Sequence, residues 1–219
     1  MTTGLATATA TATAAVAVAN WATRFPGSPL AGRPWVEWLT KPAATLGLIV
    51  LAISMGSADP AQQRWFVAGL VLCLMGDVAL MLPTEMFRTG LTSFLLGHVA
   101  FIVGFIERGA PAPSWSVVVG LVILAGCMLI GVRHLLPSVR TRAPELYGPV
   151  VAYIVVIASM TVASIWGQHW AAPLGAATFA VSDLTLADNK FVAARRWSPL
   201  AVMVTYHLAL ALLVLSLRP

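Results

Sequence analysis

Long apolar stretches separated by short polar gaps recur along the whole chain. Each stretch approaches the roughly 20 helical residues needed to cross the ~30 Å hydrocarbon core of a bilayer. Prolines stand at most of the gaps, where a helix ends or starts again. We therefore predict eight transmembrane helices, over residues 5–22, 42–57, 65–82, 91–107, 115–133, 148–166, 171–187 and 199–217.

Composition supports the same fold class. Of the 219 residues, 59% are hydrophobic and only 10% are charged, whereas about a quarter of the residues of a soluble domain are charged. The sequence thus predicts an all-α polytopic bundle formed by the whole chain. Within it, residues 1–40 form a weak, Ala/Thr-rich first span and a loop, and residues 41–219 form the main transmembrane domain.

The gaps between the predicted helices contain alternately many and few basic residues, which predicts the orientation in the membrane. Ten of the thirteen lie in the first, third, fifth and seventh gaps, and three lie in the other gaps and the C-terminal tail. The positive-inside rule places the rich side in the cytoplasm, and both termini outside if residues 5–22 span. If the protein is bacterial, the membrane is the plasma or inner membrane. The net charge of +5 is then a topology signal, so we expect no nucleic-acid partner.

Five polar side chains fall at a similar depth inside the predicted spans. Counted from the inner helix ends, they lie roughly 6 to 12 Å below the cytoplasmic interface. They are Asp77, His98, Tyr153, Asp183 and His207. A carboxylate near a span centre costs about 2.5 to 3.5 kcal/mol, so a shared polar cavity is the economical arrangement.

Simpler interpretations exist for each of these side chains. An aspartate near a helix end can reach water or pair with Lys41, a histidine can bond a neighbouring helix, and a tyrosine can merely pack. Gly76-Asp77 and Ser182-Asp183 also begin two similar short segments, each followed by a histidine in the next span. So few residues match that chance similarity between apolar helices explains this echo better than an internal repeat does.

Short motifs then follow one another across six spans. They are Lys41-Pro42, Gly76-Asp77, Phe87-x-x-Gly90-x-x-x-Phe94-x-x-x-His98, Tyr153 with Met160, and Ser182-Asp183-x-x-Leu186-Ala187-x-Asn189-Lys190-Phe191. With these motifs, residues 41–210 resemble the YhhN/TMEM86 family of membrane lysoplasmalogenases. His207 departs from the pattern, since the family more often has glutamine after an aromatic residue at this point.

The resemblance implies hydrolysis of the vinyl ether bond of lysoplasmalogens to a fatty aldehyde and a glycerophosphocholine or glycerophosphoethanolamine. The expected partners are a lysophospholipid and the bilayer, without cofactor or metal. The implied catalytic residues are Asp77 and Asp183, supported by His98, Tyr153, Ser182, Asn189 and His207, with Lys41 and Lys190 for the head group. Protonation of the β-carbon gives an oxocarbenium ion that water captures, and two carboxyl groups can supply the acid and the base.

Three other functions remain open at this stage. A transporter or channel would use intramembrane Asp and His as a relay, but would need polar residues across the whole membrane depth. A zinc hydrolase would need Asp77, His98, Asp183 and His207 to converge, although no paired ligand spacing is present. The same fold could also act on another lysolipid, or bind one without cleaving it.

Overall fold

The structure is a computed structural model that describes residues 3–57, 59–82, 86–109, 118–119, 122, 125–126, 129–166 and 169–218. All regular structure in these residues is helical. The α-helices are α1 (Thr3–Ala22), α2 (Pro34–Ser54), α3 (Pro60–Met81), α4 (Phe87–Glu107), α5 (Leu136–Arg142), α6 (Tyr147–Ser164), α7 (Ala171–Ala187) and α8 (Ser198–Leu215). One π-helical turn, Gly131–Leu135, precedes α5, another, Asp188–Val192, continues α7, and a 3₁₀ turn, Pro144–Leu146, leads into α6.

The predicted all-α bundle is confirmed, and seven of the eight predicted stretches correspond to these helices. The fifth, residues 115–133, lies mostly outside the described residues, and its described positions are helical. The start of the second stretch was wrong: α2 begins at Pro34, and Pro42 lies inside it. A proline at the first helical position is tolerated because its missing N–H would have no partner there.

The outer surface identifies an integral membrane protein. Among the described residues, five helices are long and apolar enough to cross a membrane, namely Pro34–Ser54, Pro60–Met81, Phe87–Glu107, Pro144–Ser164 and Ser198–Leu215. Large apolar side chains such as Leu46, Val50 and Ile53 are exposed along α2. In water such a surface would drive aggregation, whereas lipid chains solvate it. That α1 crosses the membrane, and which face is cytoplasmic, remain predictions.

The helices form a ring around the buried core. Neighbours along the chain pack together from α1 to α4, α4 packs on α6, α6 on α7 and α7 on α8. The ring closes because α8 also packs on α1, α2 and α3. Phenylalanines fill the centre, with Phe66, Phe101 and Phe179 fully buried. Side chains from α2, α3, α4, α6, α7 and α8 can therefore meet in one interior.

Helices α3 and α4 approach closely along a seam of glycines. The seam consists of Gly69 and Gly76 on α3 and Gly90, Gly97 and Gly104 on α4. A Cβ atom at Gly97 would lie 3.2 Å from the carbonyl oxygen of Gly69 and 3.3 Å from the Cys73 sulfur. Small residues at such spacing let two membrane helices touch through their backbones.

We expect Gly97→Leu to destabilise the bundle, because its side chain would meet backbone that cannot move aside. Overpacking typically costs about 1 to 3 kcal/mol, so the unfolding midpoint in detergent should fall by about 5 °C. Gly148→Leu is the control, since no atom of the described residues lies within 4 Å of a Cβ atom there. Equal midpoints for the two variants would show that the seam does not contribute to stability.

Candidate functional site

Two aspartates line one small cavity inside the ring. Asp77 on α3 and Asp183 on α7 both border this space of ≈190 Å³, together with Lys41 on α2 and Tyr206 on α8. Asp77 is fully buried, and the Asp183 side chain is 14% exposed. The two aspartates that the sequence placed at one depth thus share one cavity, which we call the polar cavity.

Three donors from two other helices surround Asp77. The Lys41 ammonium lies 3.2 Å from Oδ1, while the hydroxyls of Thr45 and Tyr206 donate to Oδ2 at 2.8 and 2.7 Å. The pairing with Lys41 is the simpler interpretation that the sequence left open. The two hydroxyl donors and the ammonium fix the orientation of the Asp77 carboxyl group.

Asp183 has a different set of partners. The Tyr153 hydroxyl donates to its Oδ2 at 2.6 Å, and His98 Nε2 lies 3.4 Å from the same oxygen. His98 Nδ1 lies 2.6 Å from the carbonyl oxygen of Phe94. Because a carbonyl can only accept, Nδ1 carries a proton, and a neutral ring leaves a lone pair on Nε2. This lone pair faces Asp183 Oδ2 at 3.4 Å, and Nε2 has no hydrogen-bond partner among the described residues. The contact is attractive when one of the two groups carries an additional proton.

A second cavity meets the polar one at Asp183. It measures ≈330 Å³ and lies between α3, α4, α6 and α7, with mainly apolar walls such as Leu91, Ile154 and Ile157. Asp183, Leu80, Phe94 and Leu186 line both spaces. Asp183 therefore lies at the boundary between this apolar cavity and the polar cavity. An amphiphile bound across both cavities would have the junction of its chain and its head group at this point.

The predicted supporting residues divide into two groups. Ser182 and Asn189 line the polar cavity; the Ser182 hydroxyl donates to the Val202 carbonyl at 3.0 Å, and Asn189 Oδ1 accepts from the Arg195 N–H at 2.9 Å. These two bonds connect the end of α7 to α8 and to the segment before it. His98 and Tyr153 contact Asp183 directly, as described above.

Lys190 and His207 lie away from the polar cavity. The Lys190 ammonium sits 5.0 Å from the centre of the Phe87 ring. His207 Nδ1 accepts from the Trp21 indole at 2.9 Å and borders a separate space of ≈670 Å³ between α1, α2 and α8. Since neighbouring helical residues point about 100° apart, Tyr206 faces Asp77 while His207 faces α1.

Sequence reasoning missed four residues of the site. Thr45 and Tyr206 bond Asp77, and Arg24 and Glu37, joined by an ion pair, line the polar cavity. A signal existed for two of them, because Glu37, Lys41 and Thr45 are spaced by four residues and share one face of α2. Arg24 contributed only to the prediction of orientation. At the end of the chain the sequence indicated His207 as a candidate and not the neighbouring Tyr206.

The four proposed zinc ligands do not converge. Asp77 contacts Lys41, Asp183 contacts His98, and His207 contacts Trp21. Within the described parts of the chain, no group of three or more His, Cys, Asp and Glu side chains could hold a metal ion. The arrangement offers instead two carboxyl groups with different partners beside a cavity that has mainly apolar walls.

Comparison with known proteins places the sequence among membrane proteins. The model of the YhhN family matches residues 36–217. A human protein named lysoplasmalogenase TMEM86A is 32% identical over 200 residues, covering 86% of this chain and 80% of that protein. Lysoplasmalogenase TMEM86B of Sus scrofa is 30% identical over 190 residues, covering 83% of this chain and 75% of the relative.

A bacterial relative matches over a shorter region. The uncharacterized membrane protein YhhN of Escherichia coli O6:H1 is 27% identical over 141 residues, or 64% of this chain. That match spans 62% of the relative, less than two thirds of its length. No solved structure matches the chain.

Proposed function

The chain belongs to the YhhN family, and from this premise we propose that it is a membrane hydrolase that cleaves the vinyl ether bond of lysoplasmalogens. These lipids carry one alkenyl chain on a glycerophosphate head. The observation that carries the proposal is the position of Asp183, on the boundary between the apolar and the polar cavity. The names of the relatives at about 30% identity support the same substrate class.

The two cavities fit the two parts of such a lipid. Its hydrocarbon chain would lie in the apolar cavity among Leu91, Ile154 and Ile157, which offer it surroundings as apolar as those of the bilayer. Its glycerophosphate would lie in the polar cavity near Lys41. The vinyl ether joins these parts and would therefore sit beside Asp183.

Asp183 acts as the acid in the first step. A proton on the Asp183 carboxyl group moves to the β-carbon of the vinyl ether, which leaves an oxocarbenium ion next to the Asp183 carboxylate. Tyr153, which donates to Asp183, keeps the carboxyl in position throughout. His98, which is bonded to the Phe94 carbonyl of its own helix, keeps Nε2 facing Asp183 at 3.4 Å.

Asp77 acts as the base in the second step. It takes a proton from the water that attacks the cationic carbon, and a hemiacetal forms. When the hemiacetal collapses, its hydroxyl proton returns to Asp183 and the proton on Asp77 moves to the departing glycerol oxygen. One water is consumed, both carboxyl groups are restored, and a fatty aldehyde and a glycerophospho-base are released.

Incubation of the detergent-purified full-length protein with a lysoplasmalogen tests this proposal. We expect release of one aldehyde per lipid cleaved, whereas the matching saturated alkyl ether, which has no double bond to protonate, should stay intact. Cleavage of the saturated ether would point to another reaction. If a folded protein released no aldehyde, the substrate assignment would be wrong.

A further inference from the structure

The opening of the polar cavity carries an ion pair that the reaction does not use. Arg24, in the connection after α1, pairs with Glu37 in the first turn of α2, and both line the cavity with Lys41. Their side chains are 18% and 29% exposed, compared with 9% for Lys41. These two residues therefore lie nearer to solvent than the buried pair of Lys41 and Asp77.

We propose that Arg24 and Glu37 form a binding subsite for a zwitterionic phosphoethanolamine head group, in which Arg24 binds the phosphate and Glu37 binds the primary ammonium. The inference rests on the proposed function, because it gives the head-group class of the same substrate. It adds two residues from the part of the chain in which the sequence offered no functional motif.

Charge balance supports a zwitterion over an anion. The charge of Lys41 is compensated by Asp77, and the charge of Arg24 is compensated by Glu37. The opening is thus neutral as a whole, and a bare phosphate would face the Glu37 carboxylate without compensation. A phosphate linked to an ammonium instead offers each member of the ion pair an opposite charge.

The order of groups along α2 matches the order of groups in the lipid. Glu37, Lys41 and Thr45 follow one another at intervals of four residues, about 6 Å apart along the helix axis. Thr45 bonds Asp77, Lys41 pairs with Asp77, and Glu37 lies one turn closer to solvent. Ammonium, phosphate and glycerol would thus lie in sequence from the opening towards the two aspartates.

The chemistry of Glu37 favours a primary over a quaternary ammonium. A carboxylate accepts hydrogen bonds from the N–H groups of ethanolamine, whereas trimethylammonium has no N–H and is usually recognised by aromatic rings. The aromatic residues of the cavity, Phe94 and Tyr206, pack on each other beside Asp77. These two rings therefore lie at the inner end of the polar cavity, beside Asp77 and away from Glu37.

A binding experiment tests the subsite without depending on cleavage. Saturated 1-O-alkyl lysolipids with an ethanolamine, a choline or a bare phosphate head are titrated against the full-length protein in detergent. We expect the ethanolamine lipid to bind about tenfold more tightly than the other two, which is the size of one hydrogen bond to a charged group. Glu37→Gln should greatly weaken this preference, because the neutral amide oxygen of Gln binds an ammonium much less strongly than a carboxylate does.

Two further variants guard against misfolding and general charge effects. Glu145→Gln removes an exposed carboxylate that lies 4.0 Å from Arg88 and does not line the cavity, so the preference should persist. Arg24→Glu combined with Glu37→Arg keeps an ion pair but reverses its direction, and should also greatly weaken the preference. If the preference were equally strong in wild type and Glu37→Gln, the subsite would be refuted.

Aldehyde release from the three corresponding vinyl ethers separates this inference from the proposed function. Selective binding with no aldehyde from any substrate would leave the subsite in place and overturn the hydrolase. Equal affinity for all three heads, with aldehyde released from each, would overturn the subsite and leave the hydrolase in place.

Discussion

Asp183→Asn is expected to lower the rate of aldehyde release by about 10³-fold while the protein stays folded. Asparagine has the same shape and can still accept the bond from the Tyr153 hydroxyl. It cannot give a proton to carbon, and general acid catalysis contributes about 10² to 10⁴-fold to a rate. The measurement is kcat for a lysoplasmalogen, with the unfolding midpoint in detergent as the test of folding.

Asp188→Asn is the matched control for this variant. Asp188 lies five residues further along the chain, where it contacts His134 at 2.7 Å and Arg195 at 3.2 Å, and it does not line the polar cavity. The same chemical change there should leave kcat within about twofold, since Asp188 does not border the cavity in which the reaction is proposed to occur. Full activity of Asp183→Asn would refute its role as the acid.

Asp77→Asn is expected to reduce both activity and stability. The substitution leaves the ammonium of Lys41 buried, 7% exposed, without its counter-charge. Breaking a buried ion pair by removing one partner typically costs about 3 to 5 kcal/mol. Loss of the base should also reduce kcat by about 10²-fold or more. Thermal unfolding and aldehyde release, measured on the same preparation, record the two effects.

A double variant distinguishes the structural role of Asp77 from the chemical one. Lys41→Met in the Asp77→Asn background removes the unpaired charge, so the unfolding midpoint should recover. Aldehyde release should stay low, because the base is still missing. If the double variant recovered activity together with stability, Asp77 would serve only to neutralise Lys41.

The sequence predicted the membrane-embedded architecture because apolar length and proline positions are local properties. The bounds of α7 agree with the predicted stretch at residues 171–187, and α8 begins and ends within two residues of its prediction. The predicted start of the second stretch is wrong because Pro34 occupies the first helical position of α2, and Pro42 lies inside the helix. The positions of prolines in the sequence do not by themselves show which of two prolines begins a helix.

The chemistry of the site was only partly accessible in the same way. The sequence predicted that Asp77 and Asp183 lie at a similar depth in their helices, and both line the polar cavity. Depth carries no information about rotation around a helix axis, so it could not separate His207 from Tyr206. The bond from Tyr206 to Asp77 joins residues 129 positions apart, and such a contact depends on how the ring of helices closes.

The glycine seam between α3 and α4 also bears on the alignment of the two acids. Asp77 follows Gly76 directly on α3, and His98, the partner of Asp183, follows Gly97 directly on α4. The separation of Asp77 from His98 is therefore set by how closely the backbones of α3 and α4 touch. A methyl group added at the seam would shift Asp77 relative to His98 before it unfolded the bundle. Selection on these glycines would therefore act through the turnover rate as well as through folding.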